Sequence, residues 1–209
     1  MSFKFLGFPI RVQPIFFVVA VLLNISSISE PHLLLAWVAI VFVSVLLHEV
    51  GHALAFRRFG QWATIELHAM GGHTVGTGRY LSNRQDAIVS FSGPLVGLSI
   101  GGLTYLASQF VPALTATPVL AALAWDIVWV NLGWGLLNLL PIVPMDGGRI
   151  LVAGLRHIVP ARATELSLLI SAIVAVLAAI AAYVYHLPIA ALFAALFAYD
   201  NFTKYKDLR

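Results

Sequence analysis

The 209-residue chain contains no cysteine. Disulfide staples, thiol nucleophiles, iron–sulfur clusters and thiolate zinc sites are therefore excluded. Any metal site must be built from His, Asp or Glu, a donor set that suits zinc in a hydrolytic role. Charge is scarce as well. Asp, Glu, Lys and Arg make up 10% of the residues, against about 25% in an ordinary soluble domain. So few charges cannot cover a water-facing surface of this size. With hydrophobic residues at 60%, lipid must supply much of the cover. No linker, internal repeat or low-complexity tract divides the chain, so residues 1–209 read as one membrane-embedded domain with no appended regulatory or peptide-binding domain.

Six apolar segments predict an α-helical multi-pass protein with about six spans: Pro14–Ile28, Leu33–Phe56, Ala87–Val111, Val119–Leu140, Leu166–Tyr185 and Pro188–Phe202. A crossing takes roughly 17–25 residues, which makes the first and last short. The basic residues support the count. Lys4 and Arg11 precede the first segment, and Arg57, Arg58, Arg79 and Arg84 separate the second from the third. Arg149, Arg156 and Arg162 separate the fourth from the fifth, and Lys204, Lys206 and Arg209 follow the sixth. The other three loops hold no Lys or Arg, so all 12 basic residues fall on one side. The positive-inside rule makes that side cytoplasmic. The expectation is a cell-membrane protein with both termini, and the opening of its site, on the cytoplasmic side. The net charge of +3 then reports topology and lipid contact, and no nucleic-acid partner is expected.

The longest polar stretch, Arg57–Asp86, holds Ile65–Met70, the pair Gly71-Gly72 and His73-Thr74-Val75. Partial alternation on either side of Gly-Gly predicts a small membrane-associated β-hairpin.

Residues 48–52 read His-Glu-Val-Gly-His inside the second apolar run. On a helix, positions i and i+4 share a face, so His48 and His52 can bind one metal ion, and Glu49 beside them can take a proton from water. Zinc in such a site acidifies water and polarises a carbonyl. Three polar residues within five positions of a span are costly unless they serve a function. Counting back from Arg57, the ligands lie about 7–14 Å below the cytoplasmic boundary at 1.5 Å per residue. Water must therefore reach them through a protein-lined cavity.

Two histidines leave the site one protein ligand short. The candidate is Asp146, in Asn138-Leu-Leu-Pro141-Ile-Val-Pro144-Met-Asp146-Gly147-Gly148. Pro141 and Pro144 break the helix, and Gly147 and Gly148 let the backbone turn. An unwound stretch at membrane depth is tolerated where it lines a cavity or packs on protein. The alternative for Asp146 is a helix cap for the segment that follows.

Together, His48-Glu49-x-x-His52 and Asn138-x-x-Pro141-x-x-Pro144-x-Asp146-Gly147 resemble the site-2 protease family of intramembrane metalloproteases, and Ser92-Gly93-Pro94 resembles a further family motif. The similarity runs over essentially the whole chain. It implies one zinc ion held by His48, His52 and Asp146, with Glu49 as the catalytic acid/base. It also implies membrane-spanning protein substrates, cleaved in regulated intramembrane proteolysis. Met145 stands where Leu is common in the family, and Gly97 where many relatives carry Asn. With no appended domain, a regulatory partner protein or prior trimming of the substrate would supply any gating.

Asn138 is a candidate substrate-binding residue or a helix–helix polar contact. Asp126 and Asn131 also lie in the fourth segment, where Asp126 reads as a structural pair or a water-exposed group; His73 reads as a solvated loop residue, His32, His157 and His186 as interfacial, and Gly93-Pro94 as a close-packing or kink site. A strand edge over Ile65–Met70 could hold an unwound substrate by β-addition. Two other readings use the same residues: a divalent-metal transporter and a substrate-binding pseudoprotease. Glu49 and the broken Pro/Gly ligand segment favour hydrolysis over both.

Overall fold

The computed structural model describes residues 1–208; Arg209, counted above among the basic residues, lies outside the described residues. The chain forms two compact units, the first from Met1–Tyr80 and Ser92–Leu137, the second from Leu81–Phe91 and the chain from Asn138 onward.

The first unit starts with strands β1 (Ser2–Phe5) and β2 (Phe8–Val12), then helix α1 (Pro14–Leu22) and helix α2 (Pro31–Arg58). Strands β3 (Trp62–His68) and β4 (Gly71–Thr77) follow. Helix α3 (Asn83–Phe110) begins in the second unit and ends in the first. Helix α4 (Pro118–Val128) runs through a π-turn, Trp129–Gly133, into α5 (Trp134–Asn138). Proline opens α1, α2 and α4. At a first helical position its missing N–H costs nothing, and its fixed φ favours the helix. Arg57 and Arg58 close α2, where cations complement the helix dipole.

The predicted hairpin is real but is half of a larger element. The four strands form one sheet in the order β1-β2-β3-β4. Strand β2 pairs parallel with β3, Ile10 opposite Ile65, and β3 pairs antiparallel with β4. The N-terminal strands were concealed in the sequence because Phe8-Pro9-Ile10-Arg11-Val12 reads as the flank of an apolar run. Its alternating burial, with Phe8, Ile10 and Val12 inside, is that of a half-buried strand. The hairpin turn is also displaced from its expected place. His68 pairs with Gly71, so Ala69-Met70 make the turn and the two glycines open β4. Strand β3 is interior, and the sheet ends at β4, which moves any strand addition from Ile65–Met70 to Gly71–Thr77.

Four stretches are long and apolar enough to cross a membrane: Pro31–Arg58, Asn83–Phe110, Pro118–Asn138 and Pro160–Val184. These match the second to fifth expected segments. The first segment instead holds a nine-residue helix, α1, about 14 Å long at 1.5 Å per residue, followed by a 3-10 turn at Ile25–Ser29. Helix α8 (Pro188–Asp207) has 20 residues, but Asp200, Lys204, Lys206 and Asp207 crowd its C-terminal part.

The second unit contains an irregular stretch after Asn138, helix α6 (Asp146–Ile158), helix α7 (Ala163–Val184) and α8. Helices α7 and α8 are joined by Tyr185–Leu187. The irregular stretch inserts Ile142 between them, against Ala175 and Ala198.

Candidate metal centre

Helix α2 buries its whole motif: His48 is 6% exposed, Glu49 5% and His52 5%. The i, i+4 spacing brings the two imidazole rings together, with Nε2 of His48 3.2 Å from Nε2 of His52. Two nitrogens on a tetrahedral zinc, each about 2.0–2.1 Å from the metal, would be roughly 3.3–3.4 Å apart. The rings thus already stand as a ligand pair.

Helix α3 lies directly against the motif. A Cβ on Gly51 would come within 2.7 Å of the Ser92 carbonyl oxygen, and a Cβ on Gly93 would run into Nε2 of both His48 and His52. Of the two roles expected of Gly93-Pro94, close packing or a kink, Gly93 serves the first, and its packing partner is the histidine pair itself.

Strand β4 supplies a contact that sequence reasoning missed. The Thr74 hydroxyl donates to Oε2 of Glu49 at 2.7 Å and also reaches the Glu49 backbone oxygen at 3.2 Å. A Cβ on Gly72 would occupy the space of the Glu49 carboxyl, and one on Gly76 would meet the Phe56 ring. Positions 72, 74 and 76 share one face of the strand. That face is stripped to Gly, Thr and Gly so that α2 can lie on it with Glu49 pointing at the hydroxyl. The alternation of small residues in Gly72-His73-Thr74-Val75-Gly76 was the available signal.

In the second unit, Asp146 is the first residue of α6, and Met145, with extended backbone, holds the cap position. The helix-cap reading of Asp146 is thereby set aside, although a carboxylate in a first turn still gains from the helix dipole. The stretch from Leu139 to Met145 is non-helical, as Pro141 and Pro144 predict. Gly147 and Gly148 act differently from expectation. Both are helical, and side chains there would strike the backbone of Leu139, Leu140 and Ile142. They are needed for close approach rather than for turning. Arg149, one turn on, pairs with Asp86 at 3.0 Å.

The donors on offer are the imidazoles of His48 and His52 in the first unit and the carboxylate of Asp146 in the second, one ligand atom from each. Two imidazoles and a carboxylate match the three-protein-ligand pattern of catalytic zinc, and no thiolate competes. Glu49 is outside that set, held by Thr74.

The weaker candidates separate. Asn131, 3% exposed in the π-turn, donates to Ser44 Oγ at 2.9 Å, a helix–helix contact. Asp126 is half-buried on α4. His73 lies on the exposed face of β4 opposite Glu66, so it belongs to a strand rather than a loop. His32, His157 and His186 are exposed, and Asn138 ends α5, half-buried.

Comparison with known proteins finds zinc metalloproteases similar to this chain. The model of Peptidase family M50 matches residues 112–178. Zinc metalloprotease MJ0392 of Methanocaldococcus jannaschii is 32% identical over 154 residues, 72% of this chain and 44% of the relative. Putative zinc metalloprotease Rip3 of Mycobacterium tuberculosis is 36% identical over 118 residues, 54% of this chain and 30% of that protein. A solved structure, the site-2 protease from Methanocaldococcus jannaschii, superposes with a TM-score of 0.65 at 26% identity, covering 98% of this chain and 95% of that one. This chain is a relative of the site-2 proteases. The resemblance carried by the two sequence motifs is thereby borne out across the fold. The chain spans less than half the length of the curated relatives it matches.

Proposed function

We propose that this protein is an intramembrane zinc metalloprotease that hydrolyses peptide bonds in or near the transmembrane segments of membrane-protein substrates. The observation that carries this reading is the pairing of a convergent His48–His52 couple with a buried carboxylate, Glu49, held by the Thr74 hydroxyl.

His48, His52 and Asp146 would hold the zinc, which when bound supplies a Lewis acid for the scissile carbonyl and acidifies a water. Glu49 accepts the proton from the attacking water and returns it to the departing amine as the C–N bond breaks. Thr74 fixes one carboxylate oxygen, leaving the other for the proton. Burial of all three motif residues keeps bulk water from the reacting groups. Asn138 is proposed to hydrogen-bond the substrate backbone. A substrate helix hides its amides in its own hydrogen bonds and must unwind first. Strand β4, at the end of the sheet, offers an edge on which the unwound segment could pair.

In this reading the two units work as one catalytic domain, and the chain crosses six times with both termini and the site opening cytoplasmic. The sheet supports a first crossing despite the shortness of α1. Strand β2, before α1, and β3, after α2, share one sheet, while the Trp37 indole near the start of α2 donates to Ala20 O of α1 at 2.9 Å. The chain between Gln13 and Glu30 thus travels away from the sheet to the far end of α2. Arg57 also donates to Leu6 O at 3.0 Å, tying the basic end of α2 to the N-terminal hairpin. Substrates would be membrane-spanning proteins, with gating by a regulatory partner protein.

The test compares wild type with Glu49→Gln in detergent or liposomes, on a panel of single-span substrates, with bound zinc measured in parallel. Cleavage by wild type alone at equal zinc content is expected. Metal flux into liposomes without cleavage would refute the reading.

A further inference from the structure

In the second unit, the stretch carrying Asp146 has left the helix while still at the end of a membrane segment. Its backbone groups therefore need partners that neither a helix nor lipid can give. Pro141 and Pro144 remove two N–H groups. Ile142 donates to Leu140 O at 2.7 Å and Met145 to Ile142 O at 2.7 Å. Val143 has neither group satisfied by its own segment. Its N–H donates to Ser171 Oγ at 3.1 Å, and Ser171 in turn donates to Pro141 O at 3.2 Å. Its carbonyl accepts from Asn201 Nδ2 at 2.7 Å, and the same amide nitrogen spends its second proton on Phe197 O at 2.8 Å. Ser171 and Asn201 are both 0% exposed, and Asn201 Oδ1 is buried without a partner among the described residues.

A buried orphan acceptor is costly. An apolar residue at 201 would remove that cost, so the donated bond to Val143 has to outweigh it. Ile142, 1% exposed, plugs the same gap between α7 and α8. Val143 is three residues before Asp146, so whatever fixes Val143 fixes the start of α6 and the ligand's Cα.

We propose that Ser171 and Asn201, on the last two helices, are positioning residues that clamp the Pro141–Met145 segment and thereby set Asp146 for metal binding. The proposal rests on the reading of Asp146 as a zinc ligand. It gives α7 and α8 a part in the metal centre beyond anchorage, and neither residue touches the reacting atoms.

The experiment is a zinc titration against a chromophoric chelator with purified full-length protein in detergent, for wild type, Ser171→Ala, Asn201→Leu and Ser167→Ala. Ser167 is the matched control: it lies one turn earlier on α7, is 1% exposed, and its hydroxyl donates only within its own helix, to Thr164 O at 2.9 Å. Loss of the clamp at 171 or 201 is expected to weaken zinc by about 10–100-fold, the range for residues that orient a metal ligand, with Ser167→Ala near wild type. A folded Ser171→Ala or Asn201→Leu protein with wild-type affinity overturns the proposal, as does an equal loss in Ser167→Ala. Hydrogen exchange on zinc-free wild type tests the clamp without a variant. The Val143 amide should exchange as slowly as the amides of α7, and exchange at the rate of an open loop overturns it. Failure of wild type to bind zinc at all would instead strike the functional reading.

Discussion

Replacing Gly93 by Ala tests the metal centre at one atom. An added Cβ would lie 2.7 Å from His48 Nε2 and closer still to His52 Nε2. An ordinary contact is about 3.5 Å, so the His48 nitrogen must retreat by roughly 0.8 Å. Metal–ligand distances tolerate only about ±0.2 Å, which means the ring cannot make room and still ligate in place. Moving helix α3 away instead would open the close Gly51–Ser92 packing and forfeit the contacts made there. Overpacking of this kind costs about 1–3 kcal/mol, equivalent to roughly 5–150-fold in zinc affinity. The assay is chelator competition together with thermal unfolding of the zinc-free protein. Gly102→Ala on the same helix is the control, because no atom lies within 4 Å of its added Cβ. It should bind zinc normally and gain slightly in stability, since Ala is the better helix former. Gly93→Ala with unchanged zinc affinity would refute the placement of α3 on the histidine pair.

Thr74→Val keeps the side-chain shape and removes the hydroxyl that holds Glu49. A hydrogen bond to a charged group contributes about 1.5–3 kcal/mol, so kcat should fall by roughly 10–100-fold with KM and zinc content unchanged, and Thr74→Ser should restore it. Wild-type kcat in the valine variant would show that Glu49 is positioned by something else. Proline at Val75 should lower substrate turnover without loss of zinc if β4 receives the substrate strand; equal turnover would remove that role. Asp146→Ala, which leaves two protein ligands, should lose zinc under chelator concentrations that wild type withstands, and retention of a full equivalent would displace Asp146 from the ligand set.

Much of this site was legible because its chemistry is local in sequence. His48, Glu49 and His52 declare themselves through spacing and through their cost inside an apolar run, and Pro141, Pro144 and Asp146 declare an unwound acid. The four central spans were equally legible from length and hydropathy. What escaped were features set by distant pairings. Strand β2 acquires its meaning from a parallel partner more than 50 residues on, no local turn signal announces such a pairing, and β1 follows as the antiparallel neighbour of β2. Thr74, Ser171 and Asn201 are unremarkable in a one-dimensional reading, because a hydroxyl or an amide on a strand or span has many uses. Only the fold shows that one meets a carboxylate and the other two meet Val143.

The glycines show the same limit from the other side. The sequence has 16 of them, and turn formation is the role that Gly71-Gly72 and Gly147-Gly148 suggest. Gly51, Gly72, Gly93, Gly147 and Gly148 serve instead as places where a missing side chain lets backbone approach the site: α3 over the histidines, β4 against Glu49, and α6 under the ligand segment. Polar groups buried at membrane depth cannot be positioned by water, so neighbouring backbone must come close enough to position them. A centre built this way has little slack. Enlarging any of these five positions should harm metal binding or turnover more than enlarging Gly102 or Gly154, around which an added Cβ meets nothing within 4 Å. An alanine scan of the seven, read by zinc content and by cleavage, would separate the two groups. A scan in which they behave alike would mean that the close approaches are incidental to the chemistry.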